Sequence, residues 1–109
     1  MGEKIFDEQI IEFKSNLFKT LGDNNRLLII EALRNGETCQ CEIIPIIGIS
    51  QPAVSRHLKI LEKSGLIKSR REGNKILYQI VDPRVFEFID FLNMDLMKTI
   101  SKELSPIFV

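Results

Sequence analysis

The sequence is short of the features that mark several large classes of protein. No apolar run approaches the ~20 residues of a membrane-spanning helix, so no membrane association is expected. The first residues, MGEKIFDEQIIEFK, lack the basic-then-apolar layout of an export signal. Met1-Gly2 begins a myristoylation pattern, but Phe6 stands where that pattern needs Ser or Thr. Without an export signal, the two cysteines are expected as reduced thiols in the cytoplasm. No repeat, low-complexity stretch or Pro/Gly-rich linker divides the chain, so residues 1–109 are expected to form one domain. A thioredoxin-like C-x-x-C, a Gly-rich phosphate loop and any Ser/His/Asp or Cys/His pairing are missing, which argues against an enzyme.

Net charge is missing too: 15 Lys and Arg balance 15 Asp and Glu. Taken alone, that argues against a nucleic-acid partner, but the distribution is uneven. Between Ser50 and Lys75, seven bases (Arg56, Lys59, Lys63, Lys68, Arg70, Arg71, Lys75) face only Glu62 and Glu72. Residues 1–13 carry one base against four acids, and residues 82–109 three against five. A neutral chain with one basic face can hold phosphates there and repel them elsewhere, although a solvated charged face reads the same way.

What is present is 44% apolar residues, enough for a small core. A core of that size gains from sharing apolar faces with a second copy. Residues 5–18 place Ile5, Ile10, Phe13, Leu17 and Phe18 at helical spacing. A second helix is expected over Asn24–Arg34, capped by Asp23. A short third follows over Glu42–Ile47, where Pro45 is acceptable only in the first turn. Gly48 ends it, Ser50 caps the next helix, and that helix runs to about Ser64 with Val54, Leu58 and Leu61 as its buried stripe. Helix, tight Gly-containing turn, helix is the helix-turn-helix arrangement.

After Gly65 the periodicity changes to two. Leu66–Arg70 and Lys75–Ile80 read as strands joined by Glu72-Gly73-Asn74, with Arg70, Arg71 and Lys75 at the hairpin tip. From Asp82-Pro83 onward, Val85, Phe86, Ile89, Leu92, Leu96, Ile100 and Leu104 form a stripe too long to cover only a small core. The fold class is therefore mainly α with a two-stranded β-wing, a homodimeric winged helix-turn-helix. Its DNA-reading core covers about residues 42–82, with dimerisation helices at about 5–18 and 83–104. Ile10, Phe13, Phe86, Ile89, Leu92, Leu96 and Ile100 are the expected dimer interface.

The helix beginning at Ser50-Gln51 has the chemistry of a major-groove reader. Gln51 can pair bidentately with adenine, Arg56 with guanine, and Ser55 with either a base or a phosphate. Lys59 and Lys63 are placed for phosphates, and Arg70, Arg71 and Lys75 for the backbone or minor groove. A solvated amphipathic helix beside a hairpin explains the charges but not the order of elements. His57, the only histidine, is more simply half-buried and locally bonded than a metal ligand. Tyr78 is more simply a packing residue.

The stretch ISQPAVSRHLKILEKSGLIKSRREGNKILYQI closely resembles the DNA-binding core of the ArsR/SmtB family of winged-helix repressors. The earlier FKTLGDNNRLLIIEALRNGE resembles that family's second helix, and the match covers about residues 14–82. The resemblance implies a symmetric dimer built from the first and last helices and a two-fold operator in double-stranded DNA. It also implies repression relieved by a small inorganic ligand, often a metal ion. The segment ETCQCEI resembles the family's E-L-C-V-C-D-L metal box, with Thr38 for the leucine and Ile44 where arsenite sensors carry a third cysteine. The family's other metal site, on the last helix, needs a histidine that residues 82–109 do not contain.

Cys39 and Cys41 are thus the candidate metal ligands, and a thiophilic metal or metalloid ion the candidate cofactor. Residues two apart on a helix point ~200° apart, so the two converge only if Cys39 precedes the helix. Two sulfurs leave a tetrahedral shell incomplete, and Glu42 or Asp7 of a second copy is a candidate oxygen donor. Three alternatives stay open: a thiol-redox sensor on the same fold, a small thiol oxidoreductase, and two small residues near a turn with no ligand.

Overall fold

The computed structural model describes residues 6–102. The elements run α1 (Glu8–Leu21), α2 (Asn24–Ala32), β1 (Thr38–Cys39), α3 (Gln40–Ile47), α4 (Gln51–Lys63), β2 (Ile67–Glu72), β3 (Lys75–Ile80), α5 (Arg84–Asp90) and α6 (Met94–Ile100). Ile5 and Leu104, expected in the terminal apolar stripes, lie outside the described residues.

Local chemistry accounts for most boundaries. Asp7 caps α1 through the Gln9 amide, and Asp23 caps α2 through the Asn25 and Arg26 amides. Ser50 accepts from the Ala53 amide at the start of α4. Each oxygen satisfies donors that have no intrahelical partner. Gly48 adopts φ 78° and closes α3, which lets the chain reverse tightly into α4. Gly73, at φ 61°, does the same in the two-residue Gly73-Asn74 turn of the hairpin.

One core sits among α2, α3, α4 and the sheet. It contains Ile29, Ile30 and Leu33 from α2 and its end, Ile43 and Ile47 from α3, and the expected Val54, Leu58 and Leu61 from α4. Ile67, Tyr78 and Ile80 close it from the wing. Ile76, Tyr78 and Ile80 point inward along β3, as their alternation predicts.

Four expectations need correction. First, the hairpin gains a third strand: β1 pairs antiparallel with β3, Thr38 opposite Tyr78 and Cys39 opposite Leu77. Two residues are too few to carry an alternation signal. Second, β2 extends to Glu72, so Arg70 and Arg71 lie within the strand rather than at the tip. Third, α3 starts at Gln40, which puts Pro45 in its second turn. A proline there has no N–H to give the Cys41 carbonyl.

Fourth, the last helix is not continuous. Asn93 breaks it by capping α6, its side chain accepting from the Leu96 amide at 2.9 Å. A short amide side chain offers the backbone an alternative to helix, and here the alternative wins. The stripe is split accordingly. Phe86 and Ile89 are half-buried against this chain's own core, and Leu96 is half-buried on α6. Leu92 and Ile100 remain 57% and 70% exposed.

Candidate nucleic-acid interface

The buried stripe of α4 fixes which side faces outward. Val54, His57, Leu58 and Leu61 are buried, while Arg56, Lys59 and Lys63 are exposed on the opposite side and Gln51 is exposed at the helix start. Arg56, Lys59 and Lys63 have no ion-pair partner among the described residues. Ser55 is different: it is half-buried, and its Oγ accepts from Gln40 Nε2 at 2.7 Å.

His57 is buried, and its Nδ1 lies 3.3 Å from Arg26 Nη1. A guanidinium only donates, so Nδ1 is the accepting nitrogen and is not open to a metal. The bond is to a residue 31 positions away, not the local one expected. Arg26 also donates to the Lys19 and Thr20 carbonyls. One side chain therefore ties the end of α1 and the start of α2 to the middle of α4.

On the wing, Arg70 is committed. Its Nε and Nη2 each lie 2.7 Å from the Glu37 carboxylate, and Nη2 is 2.8 Å from Glu72. The hydrogen bond from Arg70 holds Glu37 below the usual carboxylate range, and Glu37 and then Glu72 push Arg70 further up. Arg71 and Lys75 are exposed and have no ion-pair partner among the described residues. Of the expected wing cations, those two keep their charge available.

Cys39 is the N-cap of α3, in extended conformation at φ −68° and ψ 142°, so it does precede the helix. Its Sγ accepts from the Cys41 amide at 3.1 Å. The two sulfurs are bonded to each other, with Cα atoms 5.1 Å apart, which corrects the expectation of free thiols. Cys39 is buried at 4% exposure and Cys41 is exposed.

The pair opens onto a cleft of about 400 Å³ that it shares with Gln40, Gln51, Asn74 and Lys75. The cysteines, the first residue of α4 and the wing turn thus border one space. Gln40 and Glu37 were not legible as site residues. Their partners lie 15 and 33 positions away, and no local pattern marks such pairs.

As to metal ligation, the reduced pair would offer two soft sulfurs. Among the described residues, no group of three or more His, Cys, Asp or Glu is placed to hold an ion. Asp7, one candidate oxygen donor, spends its carboxylate capping α1. The residues fit a two-sulfur site for a soft ion and do not fit a closed tetrahedral one.

Away from this face, α1 and the α5–α6 region expose Ile10, Phe13, Phe18, Phe91, Leu92 and Ile100. Phe18 and Phe88 meet with ring centroids 6.0 Å apart, which joins the two regions into one apolar surface. No helix among the described residues is long and apolar enough to cross a membrane.

Residues 23–69 match the family model described as bacterial regulatory protein, arsR family. An uncharacterised HTH-type transcriptional regulator of Methanocaldococcus jannaschii is 43% identical over 83 residues, which are 75% of this chain and 93% of that protein. The arsenical resistance operon repressor of Staphylococcus xylosus is 38% identical over 82 residues, 75% of each chain. The homodimeric winged helix-turn-helix DNA-binding domain of a possible ArsR-family regulator from Mycobacterium bovis superposes with a TM-score of 0.76 at 23% identity. That superposition covers 93% of this chain and 94% of that one, and it bears on the fold alone. With the helix-turn-helix and wing in place, this chain belongs to the arsR family of bacterial regulatory proteins.

Proposed function

We propose that the chain is a homodimeric repressor that binds a two-fold operator in double-stranded DNA and is released by a thiophilic ion at Cys39 and Cys41. The observation that carries the DNA reading is the exposed face of α4, where Arg56, Lys59 and Lys63 stand opposite the buried stripe and Gln51 is exposed at the first position of the helix. A helix with its basic face outward fits the major groove, and Arg56 and Gln51 suit guanine and adenine edges. Arg71 and Lys75 on the wing suit the phosphate backbone. The apolar surface of α1, α5 and α6 supplies the dimer contact.

The effector reading rests on two cysteine sulfurs that border the same cleft as Gln51 and Lys75. The sulfur–sulfur bond must open first. Two thiol reductants supply two electrons and two protons, and leave as their own disulfide. The dithiolate then binds a soft ion such as arsenite, antimonite, cadmium or lead, with water, exogenous thiol or Glu42 completing the shell. A bound ion at this cleft repels the conformation that grips DNA only if it binds the other conformation more tightly.

The bonded sulfurs favour a second reading, a redox switch. Hydrogen peroxide takes two electrons and two protons from the dithiol, leaving the disulfide and two waters. One titration separates the two. Labelled operator complex is treated with each ion and with peroxide, for wild type, Cys39→Ser and Cys41→Ser. Release by an ion that needs both thiols supports the metal site, and release only by peroxide supports the switch. No response to either, or unchanged responses in both serine variants, removes the pair from sensing.

A further inference from the structure

We propose that Gln40 is the positioning residue that couples the cysteine pair to the DNA-reading helix. This rests on the reading of Cys39 and Cys41 as the effector site. Gln40 lies between the two cysteines and opens α3, so the N-cap sulfur, the Gln40 side chain and the Cys41 sulfur share one turn of backbone. The Gln40 amide reaches out of that turn to Ser55 Oγ at 2.7 Å, in the second turn of α4. Both side chains are half-buried, so the bond is partly shielded from water.

The chemistry of Ser55 gives the bond a direction. Its oxygen accepts from Gln40, which leaves its hydroxyl proton to donate to a DNA acceptor such as a phosphate oxygen or a purine N7. Loss of Gln40 frees that hydroxyl to rotate. The bond is also sensitive to displacement, because hydrogen bonds of this kind are lost by about 3.6 Å. A shift of Gln40 by roughly one ångström, when the sulfurs on either side take an ion, is enough to release Ser55.

Glu37 strengthens the case from the other end of the same segment. Its carboxylate clamps Arg70 of β2, and Thr38 and Cys39 pair with β3. The five residues 37–41 are thus fastened to the wing at one end and to α4 at the other. A change at the cysteines has a short covalent path to both DNA-contacting elements.

The test uses the full chain reduced with a phosphine, cadmium ion as the probe, and an operator duplex selected from a random pool. Cadmium binding is read from the thiolate-to-metal charge-transfer band, and DNA binding from anisotropy, for wild type, Gln40→Ala and Ser55→Ala. Cadmium is expected to weaken operator binding by wild type about tenfold or more, within the usual span of allosteric coupling. In Gln40→Ala the factor is expected to fall to about twofold or less, with cadmium affinity of the DNA-free protein and the thermal midpoint unchanged. Reciprocity then requires the Gln40→Ala–DNA complex to bind cadmium nearly as tightly as the free variant does. Ser55→Ala, which removes the other end of the bond, is expected to lose the same coupling even though its basal DNA affinity also falls.

If wild type is released by cadmium and Gln40→Ala is released by the same factor, Gln40 does not carry the coupling. If wild type binds no cadmium at the thiols, or binds it without release, the effector reading itself fails and this inference falls with it.

Discussion

Arg34, just beyond α2, meets the carboxylate of Asp90 at the end of α5 through two parallel hydrogen bonds of 2.8 Å. The same guanidinium bonds Glu31 and lies 4.6 Å from the Phe86 ring centroid. A planar fork of donors suits this arrangement, which a lysine cannot reproduce. It fastens α5, and with it the exposed apolar surface, to the helix-turn-helix scaffold.

The hydrogen bonds from Arg34 hold the Asp90 and Glu31 carboxyls below their ordinary range. Depressed folded values make the linkage one-sided. The stabilisation is fully present above the ordinary carboxylate value of about 4 and is lost as pH falls through the lower folded values. Asp90→Asn is therefore expected to lower the urea midpoint at pH 7 and to have little effect near pH 2. The groups are partly exposed, so added salt should shrink the difference at pH 7. An equal loss at both pH values would show that the charge of Asp90 is not what matters.

Base reading by α4 predicts a selective loss. Arg56→Ala is expected to cost about 1–3 kcal/mol on the operator and to relax preference at one base position. Competition binding against operators substituted at each position checks it. Equal weakening on operator and random duplex would reassign Arg56 to the phosphates.

The two wing arginines should behave differently. Arg71→Ala is expected to weaken operator and nonspecific DNA alike and to reduce the slope of log affinity against log salt by about one. Arg70→Ala is expected to change that slope less, because Glu37 and Glu72 already neutralise Arg70. Equal slopes for both variants would mean that the ion pair opens on DNA.

The dimer surface is best probed where it does not also hold the monomer together. Ile89 packs on this chain's own core, whereas Phe91 is 74% exposed. Phe91→Asp is expected to give a folded monomer, because it places an unpaired charge in the contact without disturbing the core. Sedimentation velocity at micromolar concentration, with circular dichroism as the folding check, tests this. A monomeric wild type would remove the proposed interface.

What was legible in the sequence was local chemistry. Asp23, Ser50 and Gly48 announce their roles because caps and left-handed turns are set by one residue and its immediate neighbours. The α4 stripe and the β3 alternation follow from period alone. The Asn93 break is also local, since Asn is a strong cap, but the apolar spacing on both sides of it reads as one continuous helix. The rest was not local. Glu37 meets Arg70 and Gln40 meets Ser55 only after the chain has folded, so the engagement of Arg70 and Ser55 had no signal along the sequence. The convergence of the cysteines was legible only as a condition, that Cys39 precede its helix, and the extended backbone at Cys39 meets it.

In the proposed complex, two copies of α4 read DNA together. Selection of bound duplexes from a random pool, followed by sequencing, tests it most directly. A dimer with paired α4 helices is expected to enrich a site with two-fold symmetry, half-sites about one helical turn (34–36 Å) or a multiple apart, and to lose one symmetric base preference in Arg56→Ala. Enrichment of no sequence, or of a single unpaired half-site bound by a monomer, would contradict it.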